Sequence, residues 1–180
     1  MDLGRQGTKM KIIFVRHGEP DYRELEERFY TGFGMDLAPL SEKGRQQAQE
    51  LCQNPLLGSA DILVSSAVTR ALETAFYVSC ATGLPLRVEP LLHEWQVYES
   101  GIENFETART LFLENNGKLL PDSPIQYETA EDMRVRFIES LAKYRDYQKL
   151  VVVTHRMLMR QFVPNEKIDF CQVIECEIEI

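Results

Sequence analysis

Lys11-Ile12-Ile13-Phe14-Val15-Arg16-His17-Gly18 is the stretch that decides the fold. Four consecutive apolar residues, three of them β-branched, predict a strand buried on both faces, since a half-exposed strand would alternate apolar and polar positions. Arg16 and His17 follow at once, and Gly18 and Pro20 end the run. Asp61-Ile62-Leu63-Val64 and Leu150-Val151-Val152-Val153 repeat the pattern, and Leu86-Arg87-Val88 is a shorter version.

Helical segments lie between these runs. Ser41 is placed to cap a helix reaching about Gln53, with Pro55 beyond it. A second helix is expected from about Ala67 to Ala81, closed by Gly83. A third is expected near Phe105–Asn115. Thr129 to Asp132 reads as a capping box opening a helix to about Tyr147. Gln172–Ile180 alternates, as a half-buried edge strand does. Strands alternating with helices predict an α/β fold with a largely parallel sheet covered on both faces. Residues 10–180 form one domain in this reading. Residues 1–9 are polar and are expected to be a loose extension.

Ligands of such sheets bind beyond the carboxyl ends of the strands. Arg16 and His17 follow the first strand there. Ser65, Ser66 and Arg70 follow the second, His93 and Glu94 the third, and His155 the fourth. Two guanidinium forks match phosphate oxygens in planar, bidentate fashion. A neutral imidazole at His17 is a competent nucleophile near neutral pH. Gly18 lets the backbone approach a ligand closely. His155 can donate to phosphoryl oxygens as charge shifts. Glu94 can protonate a leaving alkoxide if burial keeps part of it in the acid form. His93 reads as structural.

The 180-residue chain is 44% apolar and carries a formal net charge of −8. That balance argues against a broad nucleic-acid surface, which needs clustered Lys and Arg. No apolar run approaches the roughly 20 residues of a membrane helix, and the first ten residues lack a signal-peptide core. Cys52, Cys80, Cys171 and Cys176 form no CxxC pair and are expected to be free, structural thiols in a reducing cytoplasm. The expected partners are a small phosphorylated substrate and at most a second copy of the chain, with neither nucleic acid nor a membrane.

Phe14-Val15-Arg16-His17-Gly18-Glu19 resembles the signature of the histidine phosphatase superfamily, in its phosphoglycerate mutase-like branch. Further pieces follow in family order. Leu40 to Ala48 is similar to Leu-Thr-x-x-Gly-x-x-Gln-Ala, and Ser65 to Thr74 to Ser-Ser-x-x-x-Arg-Ala-x-x-Thr. Leu92-His93-Glu94 falls where the family has Leu-x-Glu, and Val152 to His155 matches the segment carrying the second histidine. The resemblance spans about Lys11 to Ile180. It implies a three-layer α/β/α sandwich, and His17 as phosphate acceptor. It also implies a phosphate pocket of Arg16, Arg70 and His155, and Glu94 as proton donor. It implies phosphomonoester hydrolysis without metal or cofactor.

The sequence departs from the family pattern at three places. Pro20-Asp21-Tyr22 stands where the family often has Thr or Ser and, a few residues on, Asn. Arg156 replaces the usual Gly after the second histidine; its side chain either turns outward into water or meets a negative group of the substrate beyond the scissile phosphate, where it would tune affinity without taking part in bond breaking. The Glu-Arg-His-Tyr-Gly run of true mutases is missing after Glu94, which favours a phosphatase. Mutase-type phosphoryl transfer and a catalytically silent phospho-ligand binding module stay open as alternatives. A metal-dependent hydrolase using His17, His155 and Glu94 is the third rival, disfavoured because Arg16 and Arg70 would repel a cation. The Gly- and Pro-marked segment from Gln96 to Tyr127 is expected to cover the pocket.

Overall fold

The computed structural model describes residues 9–99, 101–164 and 167–180. The expected loose extension lies outside the described residues except for Lys9, which opens the first strand.

Five strands form one sheet: β1 (Lys9–Arg16), β2 (Ile62–Ser66), β3 (Leu86–Glu89), β4 (Lys149–Thr154) and β5 (Val173–Glu179). Their order is β3-β2-β4-β1-β5. β1, β4, β2 and β3 pair in parallel, and β5 runs antiparallel to β1 at the edge. The helices are α1 (Arg23–Glu27), α2 (Glu42–Leu51), α3 (Thr69–Thr82), α4 (Ile102–Glu114), α5 (Ala130–Leu141) and α6 (Arg156–Met159).

The apolar strands are buried on both faces because successive side chains alternate between two cores. Met10, Ile12 and Phe14 of β1, with Leu150 and Val152 of β4, meet Ala108 and Phe112 of α4, Met133 and Phe137 of α5, and Met157 to Met159 of α6. Ile13, Val15, Val151 and Val153 point the other way, against Leu51 of α2 and Ala71, Ala75 and Val78 of α3. This is the three-layer sandwich. Each large side chain so buried contributes roughly 1.5–3 kcal/mol.

Local signals act as expected at several ends. Ser41 Oγ accepts from Gly44 N, and Gly83 closes α3 at φ 74°. Thr129 and Asp132 form the capping box in both directions. The helix it opens ends at Leu141, short of the expected Tyr147; a 3₁₀ turn, Ala142–Tyr144, finishes the segment. The four cysteines are free, but Cys80 is exposed where burial is usual for the residue type.

Candidate active site

β1 and β4 are neighbours in register, Arg16 opposite Thr154, so the residues just beyond them stand side by side. His17 N donates to Thr154 O at 3.1 Å, and the rings of His17 and His155 lie 5.1 Å apart. Both are buried, at 3% and 0% exposure. Nδ1 of His17 is 2.7 Å from the carbonyl oxygen of Gly18. A carbonyl can only accept, so Nδ1 carries the proton and Nε2 keeps its lone pair. Arg70 Nε donates toward that Nε2 at 3.4 Å. Burial first, then the charges of Arg70 and Arg16, hold the imidazole well below its usual pKa, against the pull of the Gly18 carbonyl. The ring is neutral at pH 7.

Gly18 is required by space and not by backbone freedom, since its φ is not in the left-handed region. A Cβ there would meet Gly44 O at 2.7 Å, and a Cβ on Gly44 would meet Glu19 O at 2.1 Å. The start of α2 thus packs directly on the turn after His17. The Gly18 N–H is bound to Thr74 Oγ1 at 3.0 Å.

Arg70, in the first turn of α3, is 5% exposed, with Nη1 3.6 Å from Asp36 Oδ1. Arg16 donates through Nη1 to Ile168 O at 2.7 Å, and its guanidinium lies 3.9 Å above the Phe170 ring. Burial, and next the charge of Arg156, pull Arg16 down to about 10, while Glu94 and Asp169 oppose. His155 Nε2 pairs with Ser66 Oγ at 2.9 Å. Among the described residues, Arg16 Nε, Arg70 Nη1 and His155 Nδ1 are buried without a hydrogen-bond partner. Unmet buried donors cost about 1–3 kcal/mol each. An anion with several acceptor oxygens would satisfy such a set.

Glu94 follows the 3₁₀ turn Pro90–Leu92 after β3, and Trp95 N donates to its Oε1 at 2.9 Å. Burial pushes its carboxyl up, although Arg70, Arg16 and Arg136 all favour the charged form. His93 is half-buried, its Nδ1 2.8 Å from Glu94 O. Arg156 is half-buried at the start of α6.

Two residues that the motifs did not single out for a role also belong to this neighbourhood. Tyr22 is pushed up by burial and feels Arg70, Glu94, Asp36 and Arg16. Asp36 reaches Arg70 from the 3₁₀ run Gly32–Leu37. The only sequence signal for Tyr22 is its place in the departure after Glu19; Asp36 has none. Part of the Gln96–Tyr127 segment pairs internally, with Val97 bridged to Tyr127, while Phe105 and Phe112 pack edge-on against Trp95. Among the described residues, no group of three or more His, Cys, Asp or Glu is placed to hold a metal ion.

Comparison with known proteins bears on the family and the fold. The family described as the histidine phosphatase superfamily (branch 1) matches residues 12–165. The chain is 26% identical over 159 residues to adenosylcobalamin/alpha-ribazole phosphatase of Escherichia coli (strain K12), covering 82% of this chain and 74% of that protein. It is 28% identical over 165 residues to phosphoserine phosphatase 1 of Hydrogenobacter thermophilus, covering 84% and 73%. In fold, it superimposes on a mycobacterial glucosyl-3-phosphoglycerate phosphatase with a TM-score of 0.66 at 20% identity, covering 92% and 90% of the two chains.

Proposed function

This chain belongs to the histidine phosphatase superfamily, and we propose that it hydrolyses phosphomonoesters of small metabolites through a phosphohistidine on His17. Arg16, Arg70 and His155 hold the phosphoryl oxygens. Nε2 of His17 attacks phosphorus, and the ester P–O bond breaks. Glu94 gives its proton to the leaving alkoxide. Water then attacks the phosphohistidine and gives a proton to the Glu94 carboxylate. Inorganic phosphate leaves, and both side chains return to their starting states.

The observation that carries this reading is the held tautomer of His17. Its proton is committed to the Gly18 carbonyl, so the lone pair on Nε2 faces the Arg70 guanidinium. A nucleophile aimed at a cationic fork suits an anionic electrophile. The raised Glu94 carboxyl supports the acid role. All these residues come from one chain. The free thiols support a reducing, cytoplasmic setting.

The relatives carry names with different phosphorylated substrates, so the substrate is to be found by a panel of phosphomonoesters ranked by kcat/KM. Inorganic phosphate should appear, with turnover unchanged by a chelator. Labelled substrate should leave an acid-labile, base-stable phosphoenzyme that His17→Ala lacks. His17→Ala turning over at near the wild-type rate would overturn the assignment. Transfer to a second hydroxyl of the substrate instead of water would make the chain a mutase.

A further inference from the structure

Beyond the groups around His17 lies a buried ion pair that the chemistry above does not use. Glu128 precedes α5, Arg136 lies on it, and their side chains are 6% and 9% exposed. Two guanidinium nitrogens of Arg136 donate to the two carboxylate oxygens of Glu128. Exchanging such a pair for apolar residues is often neutral or stabilising, so stability alone is a poor reason for keeping it.

Its remaining bonds have a common destination. Arg136 Nη1 donates to the carbonyl of Leu91, three residues before Glu94. Glu128 Oε2 accepts from Gln96 N, two residues after Glu94, at 3.2 Å. The Glu128 carbonyl accepts Trp95 Nε1 at 2.7 Å, and Glu128 N donates to Gln96 O at 2.9 Å. The pair therefore grips the chain on both sides of Glu94.

We propose that Glu128 and Arg136 are positioning residues for Glu94, fixing the loop that aims its carboxyl and balancing charge behind it. This rests on the reading of Glu94 as proton donor. The charged and titratable groups facing that carboxyl are Arg16 from β1, Arg70 from α3, Arg136 from α5 and Tyr22 from the turn after β1, with His93 adjacent in sequence. Arg136 is the one of these whose charge is neutralised by a dedicated buried partner.

The test compares alkyl phosphates, whose leaving groups need a proton, with p-nitrophenyl phosphate, whose leaving group needs little help. A positioned acid contributes about 10² to 10⁴ in rate, so partial misplacement should cost roughly tenfold on alkyl phosphates. Arg136→Met and Glu128→Gln should each lose at least that much more on alkyl phosphates than on p-nitrophenyl phosphate. Turnover of an alkyl phosphate falls as pH rises through the Glu94 carboxyl. Glu128→Gln leaves the Arg136 cation uncompensated, so that falling limb should move to lower pH. Arg136→Met removes the cation, so the limb should move to higher pH.

A structural role alone would not produce opposite shifts. If a single variant does not fold, Arg136→Met/Glu128→Leu removes both charges together, and Arg136→Lys keeps the charge but not the fork. Both should show the selective loss on alkyl phosphates with little shift of the limb. Folded variants that lose equally on both ester classes, or limbs that move the same way, would overturn the proposal. Glu94→Gln run in parallel separates the two readings. If it is selective for alkyl phosphates while the pair variants are not, this inference alone fails. If Glu94→Gln is itself unselective, the donor role fails and this inference with it.

Discussion

Nη1 of Arg70 stands 3.6 Å from Oδ1 of Asp36, so a carboxylate shares the guanidinium assigned here to the substrate phosphate. The 3₁₀ run carrying Asp36 is lightly anchored: Phe33 within it is 78% exposed and Phe29 before it 88%. A segment with so little apolar burial opens at low cost. Binding a phosphate dianion requires Asp36 to move aside or to tolerate repulsion.

Asp36→Asn should therefore strengthen competitive inhibition by inorganic phosphate. A partly exposed pair is worth about 0.2–1 kcal/mol, so the inhibition constant should fall by up to roughly fivefold. Weaker inhibition in the variant would mean that Asp36 helps to orient Arg70 for phosphate.

The glycine pair behind His17 gives a stability prediction. A methyl group on Gly44 would lie 2.1 Å from the backbone oxygen of Glu19, which no side-chain rotation can relieve. Overpacking of this kind costs typically about 1–3 kcal/mol. Gly44→Ala should lower the melting temperature and, by displacing the turn after His17, reduce turnover as well. Gly58→Ala is the control, because a Cβ there meets nothing within 4 Å.

How much of this was legible in the sequence depends on how far each signal reaches. β1, β2 and β4 announce themselves because burial on both faces demands uninterrupted apolar runs. The strand ends then place His17, Arg70, Glu94 and His155 at one edge of the sheet. Asp36 and Tyr22 were not legible as site residues. They reach Arg70 through a loop whose path depends on tertiary packing, and no periodicity encodes it. Glu128 and Arg136 are eight residues apart across a helix start, and their shared hold on Leu91 and Gln96 exists only after folding. The early end of α5 has a similar origin. Helical pattern continues to Tyr147 in the sequence, but the 3₁₀ turn at Ala142–Tyr144 takes the chain toward β4.

Arg156 gives a prediction about substrate choice. It opens α6 in ordinary right-handed conformation, half-buried, and its charge is the second cause lowering the Arg16 pKa after burial. A cation held near the proposed phosphate site, in a chain of net charge −8, would offer a second anionic group of a substrate a local partner. Arg156→Ala should leave turnover of p-nitrophenyl phosphate within a few-fold. It should raise KM for substrates bearing a second anionic group, by roughly tenfold if about 1.4 kcal/mol of contact is lost. A collapse of turnover on p-nitrophenyl phosphate in a folded variant would place Arg156 among the groups that hold the scissile phosphate itself.

The three histidines predict how stability depends on pH. His17, His93 and His155 are all held below the ordinary imidazole pKa, in each case by burial first and by neighbouring arginines next. In the unfolded chain they titrate near about 6.5. Above that pH neither state carries the extra protons, and the histidines do not bias folding. As pH falls through about 6.5, the unfolded chain takes up protons that the folded protein refuses, so stability is lost progressively toward the lower folded-state values. Glu94 acts in the opposite sense. Its raised carboxyl binds a proton more readily when folded, so its contribution is full below the unfolded carboxyl range and is lost as pH rises through the folded value. The melting temperature should therefore drop between about pH 7.5 and pH 5.5. In a His17→Asn/His155→Asn variant only His93, which is held down less far, is left against the opposing Glu94, so the drop should shrink to less than roughly a third. An undiminished drop in that folded variant would show that the acid sensitivity comes from other groups and that the two imidazoles are protonated in the folded protein.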